Sequence, residues 1–193
     1  MMDEIRAERT EQAEILASLG EEQWNAPSLC AGWTVKHVIA HTTLPYRVKT
    51  AKVVLETLKS GGRFNHASDR MARRDAAALS TGELVDVLLA NAGNPWTPPG
   101  GGQAGALSHD VIHGLDITVA LGIDRRVPLE RVKIVLDGVT PRTLRYFRAD
   151  LAHVRLEATD LDWTFGEGEP LRGPAQDLLL LVCGRRPPRE SLS

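Results

Sequence analysis

The stretch that decides the fold is LSHDVIHGLDITVAL, residues 107–121. Its apolar residues recur every three or four positions, which is the period of an amphipathic α-helix, and Gly122 follows as a stop signal. His109 and His113 are spaced i,i+4, so their side chains share one helix face, about 5–6 Å apart at Cβ. Two imidazoles at this spacing are typical of a site for one divalent ion.

A second helix is predicted to supply a third histidine. It begins after Thr34, a favourable N-cap, and Val38 and Ile39 belong to its apolar face. His41 lies in this apolar turn, where an imidazole without a partner would be a poor core residue. A metal ion would supply that partner, so His41 is the expected third ligand. His37, one turn earlier, is either a fourth ligand or a solvated residue, and we favour the solvated position.

Flanking segments complete a mainly helical pattern. Helices are predicted over residues 4–19, after the capping box of Ser80 and Glu83, and over residues 129–147. Pro45 should bend or interrupt the second helix, because proline lacks the backbone donor that a helix interior needs. The chain therefore carries enough amphipathic helices for a bundle.

Two segments between these helices show no helical period. Residues 60–75 are polar, contain Gly61-Gly62 and are predicted to form a connector. Residues 94–105 are rich in proline and glycine and are predicted to form a loop or lid. No Lys-Ser/Thr pair follows these glycines, so they do not make a phosphate-binding P-loop.

The pattern changes after Asp150, where apolar and polar residues alternate as in a strand over residues 154–158. A turn at residues 166–169 and an apolar run over residues 178–182 predict a β-hairpin followed by a short helix. The predicted fold class is thus α+β, mainly α. We expect a helical bundle over residues 1–148 and a small segment, 149–193, packed on it, because some forty residues cannot bury a core alone.

Composition excludes several classes of function. The formal net charge is -2 and no long basic run occurs, which argues against nucleic-acid binding. The charged N-terminus and the lack of a membrane-length apolar stretch predict a cytoplasmic protein with no membrane partner. Cys30 and Cys183 form no CxxC pair, so any metal site must use His and carboxylate. We interpret Cys30 as a packing residue of its loop.

Two further residues are candidates for the site. Asp116 follows His113 by three positions and is placed to orient an imidazole, although a surface carboxylate is the alternative. Arg185 presents a forked donor that suits an anionic substrate or cofactor group, with an exposed arginine as the alternative. His66 and His153 have no supporting pattern, and we assign them no role.

Three landmarks give the chain a family resemblance. They are CAGWTV at residues 30–35 leading to His41, HDVIHGLD at residues 109–116, and GPAQDLLLL at residues 173–181. With them the chain resembles the DinB-like proteins, and among these the mycothiol-dependent maleylpyruvate isomerase type. The resemblance spans nearly the whole chain in the family's order. One departure is His109, which stands where the isomerases look to carry Glu.

The resemblance implies a four-helix bundle that holds a zinc-type divalent ion at one end, on His41, His109 and His113. It also implies a low-molecular-weight thiol cofactor such as mycothiol, and a transferase or isomerase reaction on a small electrophilic molecule. A zinc-bound thiol is deprotonated, which makes it a nucleophile at neutral pH. Two alternatives stay open: a metal-dependent hydrolase, in which zinc activates water, and a non-catalytic metal-binding or ligand-binding protein. The sequence does not predict the oligomeric state.

Overall fold

The structure, a computed structural model, describes residues 1–187 and 192–193. It is mostly helical and contains one small three-stranded sheet, so the predicted α+β, mainly α class is confirmed. The chain forms two compact units, Met1–Ile123 and Asp124–Ser193. The candidate histidines lie in the first of them.

The first unit contains eight helices within the described residues. In chain order they are α1 (Met2–Ala17), α2 (Glu21–Asn25), α3 (Val35–Thr42), α4 (Leu44–Arg47), α5 (Thr50–Lys59), α6 (Phe64–Ala78), α7 (Thr81–Ala90) and α8 (Gly102–Thr118). Helix α7 begins as the sequence predicts, because the Ser80 hydroxyl accepts the Glu83 backbone N–H and the Glu83 carboxylate accepts the Ser80 backbone N–H.

Four of these helices enclose one apolar core. Helices α7 and α8 each contact both α1 and α3. The core side chains include Leu16 of α1, Ile39 of α3, Leu84 of α7 and Ile117 of α8, all of them buried. Full burial of a side chain of this size contributes about 1.5–3 kcal/mol. This packing fixes α3 and α8, the two helices that carry the candidate histidines.

The segment interpreted as a connector, whose structure the sequence left open, is mostly helical. Most of residues 60–75 belong to α6, which packs against α3. Apart from Met71, the buried face of α6 consists of small or polar residues, which give no strong apolar period: Ala67, Ser68, Ala72, Asp75 and Ala76. Small side chains let two helices approach closely, and this is how α6 reaches α3.

Prolines and glycines divide two predicted helices. The second predicted helix is broken into α3, α4 and α5, with Pro45 in the first turn of α4. Helix α8 already begins at Gly102, inside the predicted loop. The predicted element over residues 129–147 is two helices, α9 (Leu129–Asp137) and α10 (Pro141–Phe147).

The second unit combines α9 and α10 with a small sheet and a last helix. The strands are β1 (Val154–Ala158), β2 (Thr164–Phe165) and β3 (Glu169–Gly173), and α11 spans Ala175–Val182. Strand β1 pairs antiparallel with β2 and parallel with β3. The hairpin therefore turns between β1 and β2, over residues 159–163, and the prediction of its turn at residues 166–169 is wrong, because that segment leads from β2 to the parallel strand β3. The order β2-β1-β3 puts β1 in the centre of the sheet.

Two glycines allow the chain to pass from one side of β1 to the other. Gly166 and Gly168 have φ of +87° and +123°, which L side chains rarely adopt. A Cβ atom at Gly166 would collide with the Val154 carbonyl oxygen, and one at Gly168 with the His153 carbonyl oxygen. The parallel position of β3 therefore depends on the absence of side chains at these two residues.

The boundary between the units differs from the one expected from the sequence. The division falls between Ile123 and Asp124, whereas the sequence predicted it after residue 148. Helix α9 belongs to the second unit because it packs against α11, and the Gln176 side chain of α11 bonds to the backbone of Arg125 and Val127. The described helices are all too short or too polar to cross a lipid bilayer.

Candidate metal centre

Three imidazole rings meet between α3 and α8. One nitrogen from each of His41, His109 and His113 lies within 4.8 Å of the other two. The ring centroids are 5.3 Å apart for His41 and His109, 5.1 Å for His41 and His113, and 4.9 Å for His109 and His113. The structure thus brings together the three histidines expected from the sequence.

The helices position these rings through their buried faces. Val111 and Leu115 of α8 are buried, which turns His109 and His113 toward α3. Val38 and Ile39 of α3 are buried and fix the turn that carries His41. Side chains of His109 and His113 keep 17% and 16% of their surface exposed, so the centre is accessible from solvent.

Each ring is held by a hydrogen bond between its Nδ1 and a neighbouring side chain. His109 Nδ1 lies 3.1 Å from Asp110 Oδ1, and His113 Nδ1 lies 3.1 Å from Asp116 Oδ2. A carboxylate only accepts, so each ring donates its Nδ1–H, and the neutral form that binds a metal then offers the lone pair of Nε2. His41 Nδ1 lies 3.0 Å from the Ser68 hydroxyl of α6. Ligand histidines in metal sites are usually oriented in this way.

The spacing between ring nitrogens fits a tetrahedral ion. His41 Nε2 and His109 Nε2 are 3.4 Å apart. Zinc–nitrogen bonds of about 2.0–2.1 Å at a tetrahedral angle place two nitrogens about 3.3–3.4 Å apart. The donor set of three imidazoles, each anchored at its other nitrogen, therefore fits zinc or a similar divalent cation.

The protonation state of His41 also suits a ligand. Burial lowers the pKa of His41 well below its usual value, and the neighbouring rings of His113 and His109 lower it further. The imidazole is therefore neutral at neutral pH. Metal binding requires this neutral form.

Two tryptophans flank the rings. The Trp33 ring lies 5.2 Å from the His41 ring, and its Nε1–H donates to Asp69 at 2.7 Å. The Trp96 ring lies 5.7 Å from the His109 ring, edge to face. Both indoles are only partly buried, so they form apolar walls beside the centre.

Cys30 is not the simple packing residue that the sequence indicated. Its Sγ lies 3.0 Å from Asp116 Oδ2 and 3.7 Å from His113 Nδ1. The loop is drawn there because the Leu29 backbone N–H donates to the Asp116 carbonyl oxygen at 2.9 Å. This contact joins residues far apart in the sequence, and no pattern around Cys30 pointed to it. Asp116, by contrast, lies where its spacing from His113 predicted.

The remaining histidines lie outside this arrangement. His37 Nδ1 accepts the Thr34 backbone N–H at 3.1 Å, so this ring caps α3. His66 and His153 are exposed, as expected. Arg185 lies in the second unit, where its guanidinium donates to the Cys183 carbonyl oxygen and lies over the Phe147 ring. Its part in binding an anionic group stays a prediction.

Comparison with known protein families tests the family resemblance that the sequence predicted. The family described as the mycothiol maleylpyruvate isomerase N-terminal domain matches residues 5–109, which is more than half of the chain. The chain belongs to this family. The match includes His41 and His109 of the candidate centre and ends before His113. The predicted resemblance is confirmed at the family level.

Two relatives of this family member are uncharacterized proteins from two strains of Mycobacterium tuberculosis. Each is 26% identical to the chain over 216 aligned positions, covering 95% of the chain and 84% of the relative. The crystal structure of the mycothiol-dependent maleylpyruvate isomerase matches with a TM-score of 0.60, and that of a mutant with 0.59. Both are 12% identical and match 100% of this chain and 90% of the other, which shows a shared fold.

Proposed function

We propose that this protein is a metal-dependent enzyme that uses a low-molecular-weight thiol, mycothiol or a close analogue, and acts on a small electrophile as a transferase or isomerase. The observation that carries the proposal is the convergence of His41, His109 and His113, each held at Nδ1 by a further side chain. Membership of a family described by mycothiol maleylpyruvate isomerase supports the thiol.

The three histidines would hold the ion, and zinc fits their spacing. A zinc ion with three protein ligands keeps a position for a further ligand, where it stabilises a thiolate at neutral pH. Asp110 and Asp116 keep His109 and His113 in the tautomer that offers Nε2. The Ser68 hydroxyl lies 3.0 Å from His41 Nδ1 and orients this ring. All three rings are thus held in place by a side chain at Nδ1.

Two apolar side chains lie beside the centre. Trp33 and Trp96 lie beside two of the rings and present apolar surface to a bound molecule. A reactive thiolate is protected from solvent by such walls.

For Arg185 we propose the binding of an anionic group on the thiol or the electrophile, since a guanidinium pairs with carboxylate through two donors. Arg185→Lys should then raise KM more than it lowers kcat.

Thiol transfer is favoured over hydrolysis by the carboxylates near the centre. Within the described residues, the carboxylates bonded to the ligand rings are those of Asp110 and Asp116. Both are buried and occupied in orienting imidazoles, so neither is placed as a general base for water. A metal-dependent hydrolase would need such a base.

Cobalt substitution tests the proposal. The protein should be loaded with one equivalent of Co²⁺ and titrated with mycothiol and with a simpler thiol. A Cys30→Ser variant should be used beside the native protein, so that the Cys30 thiol does not contribute to the spectrum. A thiolate-to-cobalt band that grows with added thiol, in both proteins, is the expected result.

A second step tests for chemistry. The loaded protein should be incubated with mycothiol and a panel of unsaturated keto acids, epoxides and alkyl halides, and conjugates or isomerised products measured by mass spectrometry and chromatography. His41→Ala is the inactive control. If excess thiol produces no thiolate-to-cobalt band, the proposed binding of a thiol to the metal is contradicted. A non-catalytic metal-binding protein is then the favoured alternative.

A further inference from the structure

A second group of metal-binding side chains lies on the other side of His113. Its members are Cys30, His113 and Asp116, and one donor atom of each lies within 4.8 Å of the other two. Cys30 Sγ is 3.0 Å from Asp116 Oδ2 and 3.7 Å from His113 Nδ1, and Asp116 Oδ2 is 3.1 Å from His113 Nδ1. A sulfur, an oxygen and a nitrogen atom that can bind a metal therefore lie close together.

The backbone holds this group in place. The Leu29 N–H donates to the Asp116 carbonyl oxygen at 2.9 Å, and the Cys30 N–H donates to the Ser28 hydroxyl at 3.2 Å. Asp116 is fully buried, while Cys30 and His113 are partly exposed. A buried carboxylate is costly unless donors or a cation lie against it. The group is thus a fixed, polar position with access to solvent.

We propose that Cys30, His113 and Asp116 form a second position for a thiophilic divalent cation, beside the three-histidine centre. A tetrahedral zinc ion would set sulfur, oxygen and nitrogen donors about 3.4–3.6 Å apart. The observed separations, 3.0, 3.1 and 3.7 Å, lie on both sides of that range, so shifts of up to about 0.6 Å suffice. A thiolate in the set selects for soft cations such as zinc or cadmium.

Binding at this position releases protons to solvent. The Cys30 thiol would lose its proton and bind as thiolate, as a metal-binding cysteine does. His113 would lose the proton on Nδ1 and become an imidazolate if its Nε2 serves the three-histidine centre at the same time. The bound cation would replace the hydrogen bonds that now join the Cys30 loop to α8. The inference rests on the proposed function, because the two positions share His113.

Cadmium titration of the full-length protein tests this second position. The metal-free protein is titrated with Cd²⁺ while the ultraviolet thiolate-to-cadmium charge-transfer band is followed, and stoichiometry is measured independently by equilibrium dialysis. The expected result is two equivalents per chain, with the thiolate band belonging to one of them. A stoichiometry of one equivalent, with or without the band, overturns the proposal.

Variants assign the two positions separately. Cys30→Ser should bind one equivalent and show no thiolate band, and the retained equivalent demonstrates that this variant folds. Cys183→Ala removes the other thiol of the sequence and should behave as the native protein does. His41→Ala should lose the equivalent that gives no band and keep the one that gives it. If the band persists in Cys30→Ser, the second position is disproved while the three-histidine centre is unaffected.

Discussion

Arg9 and Asp110 form a buried ion pair although 101 positions separate them in the sequence. The Arg9 Nε–H donates to Asp110 Oδ2 at 2.7 Å, and the arginine side chain is completely buried. The other carboxylate oxygen, Oδ1, bonds to His109. The orientation of one ring in the candidate centre therefore depends on α1, a helix that carries none of the three histidines.

Asp110→Asn should weaken both the fold and the metal centre. Removal of one partner of a buried ion pair typically costs about 3–5 kcal/mol, because the other charge is left without compensation. Loss of a carboxylate that orients a ligand histidine typically lowers metal affinity about 10–100-fold. Urea denaturation and competitive zinc titration measure the two effects. Asp86→Asn, at an exposed aspartate of α7, is the control and should change neither.

Replacing any of His41, His109 and His113 by Ala should lower zinc affinity more than about 100-fold, beyond the range of residues that only orient a ligand. Each variant removes one of three protein donors. His66→Ala, at an exposed histidine of α6, should bind zinc as the native protein does. The measurement is zinc titration against a chromophoric chelator. Native affinity in any of the three site variants would show that the rings do not share an ion.

Zinc affinity should decrease as the pH falls below about 6.5, the usual histidine pKa, because protons compete for the ring nitrogens. Burial holds the pKa of His41 well below this value, so His41 remains a competent donor further into the acid range than an exposed histidine would. Zinc titrations between about pH 5 and pH 8 measure the dependence. An affinity that is constant over this range would contradict ligation by imidazole.

His37 should make the stability of the metal-free protein depend on pH. Burial and the neighbouring Arg73 guanidinium lower the pKa of His37, and its neutral Nδ1 accepts the Thr34 N–H. As the pH falls below about 6.5, the unfolded chain binds a proton at this residue before the folded chain does. The free energy of unfolding therefore decreases toward acid.

His37→Gln is the matched variant for this prediction. Glutamine accepts the same N-terminal hydrogen bond of a capping box but does not titrate. Its loss of stability between about pH 7 and pH 5 should be smaller than that of the native protein. Urea denaturation at each pH gives the comparison. Equal pH profiles for the two proteins would show that His37 does not contribute.

Gly168→Ala should destabilise the second unit. A residue with a side chain pays about 1–2 kcal/mol for left-handed backbone, and the new Cβ atom would also collide with the His153 carbonyl oxygen. Thermal unfolding should therefore occur at a lower temperature. Gly82→Ala, in α7 with open space around it, should instead be neutral or stabilising by up to about 1 kcal/mol. If Gly168→Ala melts at the native temperature, the parallel position of β3 does not depend on the absence of a side chain at residue 168.

The sequence predicted those parts of the centre that follow from local spacing. His109 and His113 share a face because four positions separate them on one helix, and Asp116 follows by one more turn. His41 was found because a polar ring in an apolar turn needs a partner. Local periodicity contains this information, so the fold class and the three histidines could be predicted.

Contacts made across the fold were not predictable in the same way. Ser68 reaches His41 from α6, whose buried stripe of small residues has no apolar period. Cys30 reaches Asp116 because a loop hydrogen bond brings them together across 86 positions. A periodic pattern indicates which face of a helix is buried, but not which distant residue covers it.

The positions of Trp33 and Trp96 give the protein an intrinsic optical probe. Their indoles lie within 6 Å, centroid to centroid, of His41 and His109 respectively. A paramagnetic ion such as Cu²⁺ or Co²⁺ on those rings would quench the fluorescence of both indoles, whereas Zn²⁺ would leave it bright. Arrival and departure of a metal can therefore be followed in real time, without a label, from emission that the protein itself provides.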